Sequence, residues 1–160
     1  MTSQLLSEQE SPSVDAWVRL LRGHAGMRRT VSAQLQSDHG LTVNEYETLL
    51  LLAQSERRHM RRVDLAESLQ LTASGVTRLL EGLRERGYVD KEECPGDARV
   101  TYAVLTDAGA EKLGEASCSH VRAIRGLFEE RYSEREMTTL IELLGRLPGA
   151  GGCGASSCTG

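Results

Sequence analysis

Residues 62–105 read RVDLAESLQLTASGVTRLLEGLRERGYVDKEECPGDARVTYAVL. The segment from Val63 to Leu69 turns Val63, Leu65, Ala66 and Leu69 inward and predicts a short helix. Gln70-Leu71-Thr72 is a tight link, and the Thr72 oxygen is suited to cap the next helix. From Ala73 to about Arg86, residues Val76, Leu79, Leu80 and Leu83 recur at the spacing of one helix face. Ser74, Thr77, Arg78 and Glu81 keep the same spacing on the opposite face, and Gly87 is placed to end the helix. The period then drops to two. Tyr88–Glu93 and Val100–Leu105 read as strands, joined by the turn-rich Cys94-Pro95-Gly96-Asp97-Ala98-Arg99. Two helices, a tight turn and a β-hairpin make a winged helix-turn-helix.

Helices flank this core on both sides. A first one is expected from Ser13 or Val14 to about Asp38, with Gly40 stopping it. Thr42-Val43-Asn44-Glu45 fits a capping box, in which hydroxyl and carboxylate satisfy free N–H groups at a helix start. The helix that follows, to about Gln54, is apolar on most sides, and Arg57–Arg62 reads as a basic connector. Thr106 or Asp107 caps a long helix to about Tyr132, whose apolar side is Leu113, Ala116, Val121, Ile124, Leu127 and Phe128. Ser133–Glu136 is a second capping box, and Pro148 ends the last helix. The chain is therefore expected to be mainly α with a small β-hairpin wing. Residues 1–13 form a flexible N-terminus, 14–40 and 107–148 a helical dimerisation region, 41–106 the winged helix-turn-helix lobe, and 149–160 a Gly/Ser/Cys tail.

Composition bounds the function. In 160 residues, 39% hydrophobic and 26% charged is a globular balance, and 4% aromatic requires an aliphatic core. No apolar run approaches the ~20 residues that span a bilayer. Met1–Ser13 lacks a basic segment followed by an apolar run, so no signal peptide is read there. Four cysteines are too few for a secreted disulfide framework, and a cytoplasmic protein with no membrane partner is expected. The net charge is −4, so affinity for nucleic acid must come from a local face. Residues 57–99 carry nine basic and eight acidic groups, which leaves them slightly positive in an acidic chain.

The second helix suits double-stranded DNA. An α-helix fits the major groove, where short hydroxyls and guanidinium groups reach base edges and phosphates. The expected contacts are Thr72, Ser74, Thr77, Arg78 and Arg84. Arg99 at the hairpin tip is placed to reach the adjacent minor groove, where negative potential is concentrated. The outer helices carry apolar faces that a chain of this length has little else to cover, which predicts a homodimer on a pseudo-palindromic operator. No cofactor is required for such binding. A thiol-dependent enzyme built on Cys118-Ser119-His120 is the rival reading. It is disfavoured because residues two apart on a helix point to different sides. A DNA-inactive protein-binding module of the same fold is the other.

The stretch Leu41–Leu147 resembles the MarR family of transcriptional regulators. The residues that carry the resemblance are Asp64-Leu65-Ala66-Glu67-Ser68-Leu69, then Val76-Thr77-Arg78-Leu79-Leu80 with Leu83 and Arg86-Gly87-Tyr88-Val89. Pro95-Gly96-Asp97-Ala98-Arg99 and Leu105-Thr106-Asp107-Ala108-Gly109 complete the ordered set. The resemblance implies a homodimer whose terminal helices interlock, with Asp97 bracing Arg99 as it enters the minor groove. The expected activity is that of a repressor, released by a small-molecule effector or by a redox or metal signal sensed in the dimer region. Trp17, His24, Met27 and His39 are as readily effector-cavity groups as dimer-core or surface groups. Cys118, Cys153 and Cys158 supply three thiolates, with His120 or a partner residue as a fourth ligand, a set that an iron–sulfur cluster or zinc accepts. A thiol–disulfide switch and plain packing are the alternatives, and Cys94 beside Pro95 is a second candidate sensor.

Overall fold

A computed structural model describes the backbone of residues 11–94 and 97–149, and the side chains of all of these except 94 and 97–99. The elements are α1 (Pro12–His39), α2 (Val43–Gln54), a 3-10 turn (Glu56–Arg58), β1 (His59–Arg61), α3 (Arg62–Ser68) and α4 (Ala73–Glu85). They continue with β2 (Val89–Cys94), β3 (Asp97–Leu105), α5 (Asp107–Glu129) and α6 (Glu134–Leu144). The described residues fall into two compact units, divided within α5 between Ala123 and Ile124.

Local chemistry sets the helix ends. Ser11 caps α1, so residues 12 and 13 are helical and the expected flexible N-terminus does not extend to 13. Gly40, at φ +65°, closes α1 in the left-handed region that favours glycine. The Thr42–Glu45 and Ser133–Glu136 capping boxes both form. Thr72 Oγ1 accepts from the Gly75 N–H at 3.1 Å, and Gly87 turns the chain out of α4 at φ +74°. Thr106 caps α5 and also joins it to the lobe. Its hydroxyl accepts from the Gly109 N–H (3.0 Å) and donates to the Gly87 carbonyl (2.7 Å).

The core of the first unit is aliphatic. Leu35 of α1, Leu49 and Leu52 of α2, Leu65 of α3, and Val76 and Leu83 of α4 are fully buried, as is Leu41 between α1 and α2. Burying each such side chain is worth roughly 1.5–3 kcal/mol. Val63 does not join them. It is 63% exposed, because the seven-residue α3 is anchored through Leu65 and Val63 lies on its other side.

The basic connector is also more than a connector. Its second half is β1, which pairs antiparallel with β3 in the register His59↔Val104 to Arg61↔Tyr102. β3 is thus the central strand of a three-stranded sheet, ordered β1-β3-β2. β2 pairs with β3 from Val89↔Leu105 to Glu93↔Thr101, with an irregularity before Cys94. Both β2 and β3 reach further into the expected tip than periodicity predicts, so Asp97, Ala98 and Arg99 have strand backbone.

Candidate nucleic-acid interface

α4 is held by its inner stripe and leaves its polar side outward. Val76 and Leu83 are buried and Leu79 and Leu80 half-buried, while Ser74, Arg78, Glu81 and Arg84 are exposed. Thr72 is exposed at the start of the helix, its oxygen shared between the cap and Ser74 at 3.2 Å. Thr77 is half-buried and donates to the Ala73 carbonyl at 2.8 Å. The five expected contacts of this helix therefore lie on or beside one accessible side. Among the described residues, Arg78 and Arg84 pair with no carboxylate, and Glu81 orients neither of them.

Arg86 fixes the far end of the helix. Its guanidinium donates to the carbonyls of Gly82 (3.2 Å) and Gly40 (3.0 Å) and pairs with the Glu45 carboxylate. It also stands 5.4 Å from the centroid of the Tyr88 ring. The other Glu45 oxygen accepts from the Thr42 N–H at 2.8 Å. One guanidinium thus ties α4 to the corner between α1 and α2. The sequence reading missed this role, since residues 41 apart leave no periodic signal.

A cleft of about 200 Å³ opens between α4 and the hairpin, with Arg62 and Lys91 among its lining residues. Arg62 Nη1 reaches Thr77 Oγ1 at 3.5 Å, which brings the connector's last arginine beside the expected contacts. Arg61 is instead engaged by Asp64 through two hydrogen bonds, at 2.7 and 2.8 Å. Lys91 was not read as a contact; its position two residues after buried Val89 was the available signal. The side chains of Asp97 and Arg99 lie outside the described residues.

The effector and cysteine candidates that fall among the described residues lie on α1 and α5. On α1, Trp17 and His24 are exposed and Met27 half-buried. His39 Nε2 meets Ser119 Oγ at 2.6 Å, and Gln34 donates to the same oxygen at 3.1 Å. Cys118 is exposed, whereas His120 is buried 4.4 Å from the Tyr46 ring. The two point to different sides of α5, so they form neither a nucleophile–base pair nor a shared ligand pair. No group of three potential ligands occurs among the described residues. Cys153 and Cys158, and the side chain of Cys94, lie outside them. No described helix is long and apolar enough to cross a membrane.

His120 carries a consequence for stability. Desolvation pushes its imidazole pKa below the usual value, and Nδ1 has no partner among the described residues. The unfolded chain therefore binds a proton more readily than the folded one. Stability is complete above the unfolded pKa near 6.5 and falls as the pH drops from there towards the folded value. Urea midpoints at fixed protein concentration are expected to be lower at about pH 5.5 than at about pH 7.5. H120Q should flatten that difference, and an unchanged difference in the variant would exclude His120 as its source.

Chains of known family share this arrangement. The sequence model of the MarR family matches residues 39–100. The MarR family transcriptional regulator Sco3205 of Streptomyces coelicolor, solved in complex with DNA, superposes with a TM-score of 0.73 at 31% identity, covering 80% of each chain. The HTH-type transcriptional regulator YkoM of Bacillus subtilis (strain 168) is 31% identical over 107 residues, 67% of this chain and 68% of that protein. The HTH-type transcriptional repressor YetL of the same strain is 28% identical over 108 residues, 68% of this chain and 64% of that protein.

Proposed function

The chain belongs to the MarR family of transcriptional regulators, and on that premise we propose that it is a homodimeric, cytoplasmic repressor that binds a pseudo-palindromic DNA operator. The observation that carries this reading is the exposed polar side of α4 beside the hairpin, with Arg78 and Arg84 unpaired among the described residues. Recognition works by α4 entering the major groove while the hairpin tip, with Asp97 and Arg99, enters the next minor groove. The repressor assignment draws on the similarity to YetL, a transcriptional repressor.

The dimer is supported by apolar groups that the single chain leaves uncovered. Trp17 and Leu21 of α1 are 59% and 48% exposed, and Ile141 and Leu143 of α6 are 64% and 51% exposed. Two lobes held about 34 Å apart match one turn of DNA. A signal read in these helices releases the operator by favouring a different lobe spacing, and only a difference in affinity for the two arrangements drives the change. The signal is a small molecule or a change at the cysteines, of which Cys118 is exposed on α5. The visible spectrum and metal content of anaerobically purified protein separate cluster, zinc and thiol chemistry.

Selection from random duplexes tests the reading. The recovered site is expected to have inverted half-sites one helical turn apart, and sedimentation is expected to give a dimer. I141D should yield monomers and lose about 100-fold or more in affinity for the paired site, since one lobe no longer recruits the other. A wild-type monomer, or a selected site without inverted halves, would overturn the dimeric arrangement.

A further inference from the structure

The cleft between α4 and the hairpin gathers charge from three elements. Arg62 comes from the first turn of α3, Thr77, Glu81 and Arg84 from α4, and Asp90 and Lys91 from β2. Three cations and two carboxylates leave one net positive charge. Its walls include the Arg62–Thr77 contact at 3.5 Å. Lys91 Nζ is held by Glu93 at 2.8 Å, but both side chains are about half exposed, and such a pair is worth little. Its ammonium is therefore free to exchange Glu93 for a better anion.

Geometry names the anion. A helix in the major groove and a hairpin tip in the adjacent minor groove straddle the sugar–phosphate strand that separates them. That strand has to cross the opening between helix and hairpin, which is this cleft. We propose that the cleft seats a backbone phosphate of the dividing strand between Arg62, Arg84 and Lys91, and that Glu81 holds sequence-independent affinity down by opposing it. The inference rests on the DNA-binding reading above and adds to it a phosphate seat at the edge of α4's accessible side, where Thr77 and Arg84 border the hairpin.

The chemistry is consistent on both counts. Phosphate contacts position a protein on the duplex and carry most of the affinity for any sequence. The guanidinium groups suit phosphate oxygens, and the ammonium adds a point charge. Glu81 lines the cleft and neutralises neither Arg78 nor Arg84 among the described residues, so its charge opposes an anion entering there. A regulator that must leave random DNA to find its operator gains selectivity from such a carboxylate.

Fluorescence anisotropy with a random-sequence duplex, over a series of KCl concentrations, tests the proposal on the full chain. R84M and K91M are each expected to weaken binding about tenfold near 0.1 M salt and to reduce the salt slope by about one per protomer. E81Q is expected to tighten the same binding several-fold. R19M is the control for bulk charge, since Arg19 is exposed on α1 and paired with Asp15, and it should leave the slope unchanged. Unchanged slopes in R84M and K91M, no tightening in E81Q, or an equal effect of R19M would each overturn the phosphate seat while leaving the regulator reading intact. Wild-type protein with no salt-dependent affinity for any duplex would overturn both.

Discussion

G109A is expected to cost the fold about 3 kcal/mol, the upper part of the range for forcing an extra group into a packed site. Gly109 lies in the first turn of α5, against the turn that follows α4. A Cβ there would sit 2.1 Å from the Tyr88 carbonyl oxygen, 2.8 Å from Leu105 Cδ1 and 2.9 Å from the Tyr88 carbonyl carbon. Two of those atoms are backbone and cannot swing aside. The Tyr88 carbonyl also accepts from the Thr106 N–H at 3.2 Å, so moving it strains the junction that fixes α5 to the lobe. The same change at Gly82 has the opposite expected sign. Nothing lies within 4 Å of a Cβ at that position, and replacing glycine inside a helix gains about 0.5–1 kcal/mol. Urea unfolding of both variants at equal protein concentration, which matters for a dimer, reads the contrast directly. A G109A midpoint equal to wild type would mean that α5 and the Tyr88 turn do not pack as described.

What the sequence made legible is what local chemistry decides. Thr42 with Glu45, Ser133 with Glu136, and Gly40 and Gly87 each act within a few residues of a helix end, and those ends fall where the residues place them. The aliphatic stripe of α4 likewise decides which side turns out. β1 was illegible because three residues are too few to show a period, and His59–Arg61 becomes a strand only through β3, more than forty residues away. Val63 was misplaced because a seven-residue helix with one deeply buried leucine can be rotated without changing its apolar count. The cleft cations were only partly legible. Arg84 follows from helical spacing, whereas Arg62 and Lys91 reach it from elements whose relative placement no local pattern encodes. The proposed minor-groove pair, Asp97 and Arg99, still rests on the resemblance, since their side chains lie outside the described residues.

The division between the two kinds of basic residue gives the other large expected effect. Arg78 shares the exposed side of α4 with Ser74, and among the described residues no carboxylate holds it. Its fork can therefore approach a guanine edge without first breaking an ion pair. R78A is expected to cost about 1–3 kcal/mol per half-site on the selected operator, because a bidentate base contact is worth that much in discrimination. A homodimer loses the contact twice, and two distant half-sites add, which gives about 2–6 kcal/mol for the whole site. Affinity for a random duplex should fall far less, since it depends on phosphate. R78K sharpens the test. It keeps the charge and loses the fork, so it should retain random-duplex affinity and still lose discrimination. R84M should show the reverse pattern, weakening both duplexes together. The comparison is made by titration at one fixed salt concentration. If R78A binds the selected operator as tightly as wild type, the outward side of α4 does not read bases, and the hydroxyl and guanidinium groups aligned there serve only to solvate the helix.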